Sequence, residues 1–134
     1  MKEEIQIRAK EHIYRGKSIE ELKKLDVREF AKYLPSRSRR SVLRQFGTIE
    51  NFIKRAEKKI SQKKKIRTHL RDIIIVPKLV DMVIYVYNGK NFNEVKVTHQ
   101  MIGHRLGEFA LTTVRVFHGN PGMGATKSSA SEKK

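Results

Sequence analysis

A chain of 134 residues with 30 Lys and Arg against 14 Asp and Glu, and 38% apolar residues, encodes one small domain with extensions and a modest core. Zero cysteines exclude a disulfide framework, a thiolate zinc site, an iron–sulfur cluster and a cysteine nucleophile together. Met1-Lys2-Glu3-Glu4 lacks the basic-then-apolar order of a signal peptide, and runs such as Ile73-Ile74-Ile75-Val76 are far too short to span a bilayer, so the expectation is a cytoplasmic protein with no membrane partner.

Ile5, Ala9, His12 and Ile13 recur at helical spacing and predict a short amphipathic helix that stops at Arg15-Gly16. Ser18 with Glu21, and Asp26 with Glu29, match capping boxes, so two short helices should follow. Ile19 and Leu22 line the inner face of one. Phe30, Ala31 and Leu34 line the next, which Pro35 stops. Residues 36–46 are mostly arginine and serine around Val42 and Leu43, enough for a further helical turn or two along a phosphate backbone. Thr48 opens a longer helix with an apolar stripe at Ile49, Phe52, Ile53, Ala56 and Ile60, and with Lys54, Arg55, Lys58 and Lys59 on its other faces.

Most of the +16 charge lies between positions 37 and 71. There Arg37, Arg39, Arg40, Arg44, Lys63, Lys64, Lys65, Arg67 and Arg71 join four lysines and arginines of the long helix, against Glu50 and Glu57 alone. So dense a charge repels itself, and a polyanion that releases counterions on binding is its natural partner. Nucleic acid is the default reading. A merely solvated helix face is the bland alternative, and an anionic membrane surface is disfavoured by the scarcity of bulky anchors.

After Asp72 the pattern turns to β. Residues 73–76 are too β-branched and too few for a helix and predict a strand or extended segment. Val83-Ile84-Tyr85-Val86-Tyr87 and Phe92-Asn93-Glu94-Val95-Lys96-Val97 flank Asn88-Gly89, the signal for a two-residue primed turn, so a hairpin in a small antiparallel sheet is expected. By the period of two, Tyr85 and Tyr87 share a face. Without an RNP-type aromatic and glycine motif beside them, packing under a helix is favoured over exposure to RNA. Thr98 can cap a short helix containing Met101 and Ile102. From Gly119 on, the chain has almost nothing to bury and is expected to be an extended tail, ordered only against a partner. The fold class is therefore α+β. Residues 1–71 form a helical basic region, 72–118 a small β core, and 119–134 the tail.

Catalytic patterns are missing. Gly119, Gly122 and Gly124 precede Lys127-Ser128, but the spacing is not that of a phosphate loop, and no following helix is expected. His99, His104 and His118 lack a ligand spacing for a metal, no Gly-x-Ser-x-Gly elbow occurs, and Asp72, Asp81, Glu94 and Glu108 nominate no acid–base pair. No cofactor, metal or catalytic residue is assigned.

Tyr87-Asn88-Gly89-Lys90-Asn91-Phe92, followed by Met101-Ile102-Gly103-His104-Arg105-Leu106-Gly107-Glu108-Phe109, resembles the universal small-subunit ribosomal protein nineteen family, whose eukaryotic counterpart is small-subunit protein fifteen. Further similarity runs through Tyr14-Arg15-Gly16, the Ser38-Arg39-Arg40 region and Thr68-His69-Leu70-Arg71-Asp72. The tail, His118-Gly119 through Ser128-Ser129, resembles the archaeal and eukaryotic branch, and the last residues look archaeal. The chain departs from the family pattern at Val80-Asp81, where a Val-Gly pair is usual, and in residues 112–117, which are less basic than usual.

The resemblance implies a structural, non-enzymatic constituent of the small ribosomal subunit. It would bind ribosomal RNA in the head near the decoding region, touch neighbouring head proteins, and direct its tail toward the aminoacyl-tRNA. Carried over to this sequence, it puts Asn88, Gly89, Lys90, Gly103, His104 and Arg105 at or near RNA, and Lys127 on the tail, while Leu106 and Phe109 anchor their loop in the core. Two readings from other classes stay open on sequence: a small RNA-acting enzyme or regulatory factor, and a DNA-compacting protein.

Overall fold

The computed structural model describes residues 13–115. The expected first helix falls mostly on residues 1–12, outside that range, but its end is corrected. Ile13–Tyr14 is a short strand, β1, paired antiparallel with β2, Lys17–Ser18. Arg15 and Gly16 between them both take positive φ, 48° and 81°, as a two-residue primed turn requires.

The Ser18 side chain then accepts the Glu21 N–H and opens α1, Ile19–Lys24. Glu29 reaches back to the Asp26 N–H at the start of α2, Val27–Phe30, which tightens into a 3₁₀ turn over Ala31–Tyr33. Pro35 separates that turn from α3, Ser36–Arg44, a longer helix than the one or two turns its composition suggests. The long helix α4, Phe46–Ser61, begins two residues before Thr48. Its stripe of Ile49, Phe52, Ile53 and Ala56 is buried, whereas Ile60 lies past the edge of the core and is exposed.

The main sheet has three strands in the order β3 (Ile66–Thr68), β4 (Val83–Tyr87), β5 (Phe92–Lys96). The hairpin half, β4 with β5, is antiparallel as expected, but β3 adds in parallel, with Arg67 opposite Tyr85, so the sheet is mixed. The β4–β5 connection also differs from a two-residue turn. Tyr87 pairs with Phe92, which leaves a four-residue loop in which the Asn88 Oδ1 accepts the N–H groups of Lys90 and Asn91. Only Gly89 takes a positive φ there, because the asparagine side chain supplies the turn that backbone geometry would otherwise have to make.

Residues 73–76 are extended and fully buried but lie outside the sheet. Their partners are the backbone groups of 103–106: the Ile75 N–H donates to His104 O, Gly103 N–H to Ile75 O, and Leu106 N–H to Ile73 O. The segment after Thr98 is a single 3₁₀ turn, His99–Met101, followed by another over Leu106–Phe109. One continuous core runs from Leu22, Phe30 and Leu34 through Ile49 and Phe52 to Ile84, Val95 and Leu106, so the helices and the sheet pack as one body.

Candidate nucleic-acid interface

Among the described residues only three ion pairs form: Lys17–Glu21, Lys23–Asp81 and His104–Glu108. None uses a basic residue from positions 37–71. Among the described residues the excess charge is not neutralised by ion pairs, and it divides into groups with different tasks.

On α3, Arg37, Arg40 and Arg44 follow a three-and-four spacing, so they share one exposed face. Arg39 points elsewhere: its guanidinium donates to the backbone carbonyls of Ala31 (3.1 Å), Lys32 (2.8 Å) and Leu34 (3.3 Å), closing the preceding helix end. The loop of residues 103–106 comes against α3, where the Arg105 guanidinium reaches Ser41 Oγ at 3.5 Å.

That loop is itself tightly held. The Gly103 N–H is committed to Ile75 O, and a Cβ at this position, φ 86°, would stand 3.1 Å from Tyr14 Oη and 3.2 Å from Leu34 Cδ2. Its glycine serves close packing. His104 Nδ1 lies 2.8 Å from Glu108 Oε2, and Glu108 Oε1 accepts the Arg105 N–H at 3.1 Å. Burial alone would raise the Glu108 carboxyl; the Arg105 N–H and His104 together outweigh it and hold the group below the usual glutamate range. Leu106 is fully buried, and Phe109 packs on the core while meeting the His104 ring edge-on at 6.0 Å.

Arg71 is half-buried, and its guanidinium donates to Tyr87 O (2.6 Å), Gly107 O (2.8 Å) and Ala110 O (2.6 Å), tying the end of β4 to the last 3₁₀ turn. Lys63, Lys64, Lys65 and Arg67 continue from α4 into β3, all exposed, with Lys63 at φ 54°. Gly89 and Lys90 form the exposed tip of the hairpin, beside the half-buried Asn88. Lys127 lies outside the described residues.

The sheet corrects one expectation. Ile84 and Val86 are the buried side of β4, so Tyr85 and Tyr87 sit on the open face, not under a helix. His69, Tyr87 and Phe92 gather there with ring centres 4.6–5.2 Å apart. Lys65 stands 5.3 Å over Tyr85 and Arg67 stands 5.6 Å over Phe92. Tyr85 donates to Glu94 Oε2, and burial together with that carboxylate pushes its phenol up, against the lowering pull of Arg67. Sequence reasoning did not single out His69 or Phe92. The cross-strand register carries that information, and the period of two on one strand cannot supply it.

Residues 35–118, from the start of α3 through the Gly-His-Arg loop, match the family model described as Ribosomal protein S19. Over 120 residues the chain is 47% identical to the small ribosomal subunit protein uS19 of the archaeon Saccharolobus solfataricus, covering 87% of this chain and 86% of that one. The chain belongs to the ribosomal protein S19 family, as an archaeal-type member. The S19 match therefore takes in α3, α4, the whole mixed sheet and the 103–109 loop. Asp81 takes φ 71°, and its carboxylate meets Lys23 Nζ at 2.8 Å. Among the described residues no cluster of His, Asp and Glu fits a metal, and no helix is long and apolar enough to cross a membrane.

Proposed function

We propose that this protein is a structural, non-catalytic constituent of the small ribosomal subunit that binds ribosomal RNA in the subunit head near the decoding region. It acts on the cytoplasmic ribosome. The observation that carries the reading is the basic surface: exposed Arg37, Arg40, Arg44, Lys63, Lys64, Lys65 and Arg67 form no ion pair among the described residues, on a chain of the S19 family. Their chemistry is suited to phosphates, and the rigid helices and strands beneath them fix the spacing at which a folded RNA must offer those phosphates. Asn88, Gly89, Lys90, His104 and Arg105 add loop contacts that read local shape. Arg39, Arg71 and Gly103 support these contacts from within, since their polar groups are engaged with the protein's own backbone. The partners are small-subunit RNA and neighbouring head proteins, with the tail around Lys127 directed toward the aminoacyl-tRNA.

The test is sedimentation of a high-salt-washed cell extract, with mass spectrometry of the small-subunit fraction. One copy of this chain per subunit is expected. Release into the free pool, or a substoichiometric amount, would instead mark an assembly or regulatory factor. In binding assays with subunit RNA, Arg40→Ala with Arg44→Ala should lower the slope of log K against log salt by about two units at most, near one for each phosphate lost.

A further inference from the structure

The space between α4 and β3 is a cleft of about 400 Å³. Its floor is apolar, formed by Phe52 and Ala56 of α4 and Leu70 beyond β3, and its rim carries Arg55, Lys59, Arg67 and His69. Among the described residues no carboxylate lines it. A size in the range of small-ligand pockets, an apolar floor and a rim of arginine, lysine and histidine together match one kind of occupant. We propose that this cleft seats a single unpaired nucleotide of the bound RNA, with the base against Leu70 and the exposed His69 ring and the flanking phosphates on Arg55 and Lys59. The inference rests on the RNA-binding reading above and adds a nucleotide site to it.

The local geometry is preset for such a guest. Thr68 is the one buried polar residue among those described, and its Oγ1 accepts the Leu70 N–H at 3.1 Å, which fixes the bend that carries His69. The His69 ring lies 4.6 Å from Tyr87 and 5.2 Å from Phe92, so its orientation is set by the open face of the sheet before any RNA arrives. Arg55 spends its Nε on Asn51 O at 3.2 Å, one turn earlier on the helix, which anchors the stem while the terminal nitrogens stay available at an exposed position. β3 is an edge strand that pairs on one side only. Its backbone adds polar groups with which the edge of an extruded base can bond. Phosphate contacts alone would need only the charges; the apolar floor beneath them argues for a base.

The experiment uses the full chain bound to small-subunit RNA. Ultraviolet crosslinking and peptide mass spectrometry should find a nucleotide attached within residues 52–59 or 66–70. Removing that base from the RNA should weaken binding of the parent protein about tenfold, as loss of one stacked base does. Against His69→Ala the same abasic RNA should lose little further. Arg55→Glu with Lys59→Glu, on an exposed and a half-buried helix position that leave the core untouched, should remove the crosslink while urea unfolding stays as in the parent. Crosslinks confined to α3 and the 88–105 loops would overturn the nucleotide site and leave the RNA-binding reading standing, as would an abasic penalty that His69→Ala does not change. Failure of the chain to bind subunit RNA at all would sink both.

Discussion

Arg71 lies in the most basic stretch of the chain, yet its geometry is that of an internal tie. Replacing it with alanine removes three charge-assisted hydrogen bonds at 2.6–2.8 Å and leaves the carbonyls of Tyr87, Gly107 and Ala110 without that donor. A hydrogen bond to a charged group contributes about 1.5–3 kcal/mol, and three that share one guanidinium do not add fully, so the expected loss is about 3–5 kcal/mol. For a body of this size that is a fall in Tm of at least about 12 °C. Arg71→Lys keeps the charge but has no planar fork to reach three carbonyls, and should lose about half as much. The assay is urea unfolding of the RNA-free protein in about 0.5 M salt, where surface repulsion is screened, comparing midpoints at constant m. An Arg71→Ala protein within about 0.5 kcal/mol of the parent, but with a salt slope for RNA lowered by one unit, would refute the tie and make Arg71 a phosphate contact.

Arg39→Ala should likewise destabilise the RNA-free protein, by about 2–3 kcal/mol, whereas Arg40→Ala on the same helix should stay within about 0.5 kcal/mol; urea midpoints separate the two. At Gly107 a Cβ would stand 2.9 Å from Arg71 O and 3.0 Å from Arg71 Cβ, so Gly107→Ala should cost about 1–3 kcal/mol and loosen the Arg71 tie, read as faster exchange of the amide at position 107 than in the parent. Glu108 has a folded pKa below its unfolded value, so its contribution is present above the unfolded carboxylate range and lost as pH falls through the folded pKa. Its side chain is half exposed, so the difference in stability between parent and Glu108→Gln should stay under about 1 kcal/mol at pH 7, shrink below about pH 4 and vanish once the folded carboxyl is protonated. Asp81→Gly should be nearly neutral in thermal unfolding, because relief at φ 71° of about 1 kcal/mol offsets loss of an exposed ion pair of about the same size.

Features that depend on short spacing are legible along the chain. Ser18 and Asp26 announce helix starts, Ile49, Phe52, Ile53 and Ala56 announce a buried stripe, and Val83 to Tyr87 with Phe92 to Lys96 announce two strands meeting around Asn88-Gly89. Those signals are local, set by a period of 3.6 or 2 and by side chains that bond backbone a few residues away. The charge of residues 37–71 was equally legible, because net charge needs no geometry. Even turn chemistry misled where two local solutions compete: the primed turn formed at Arg15-Gly16, while Asn88 made its turn through its side chain.

What each cation does depends on packing between distant segments. Arg39, Arg40 and Arg71 are indistinguishable along the chain, and the difference between an internal tie and an open phosphate donor rests on carbonyls five to thirty-nine positions away. The parallel seat of β3, the open side of Tyr85 and Tyr87, and the cleft floored by Phe52 arise from register between segments remote in sequence. Such register is set by how the whole core packs, since one slip in pairing would exchange buried for exposed on every strand residue.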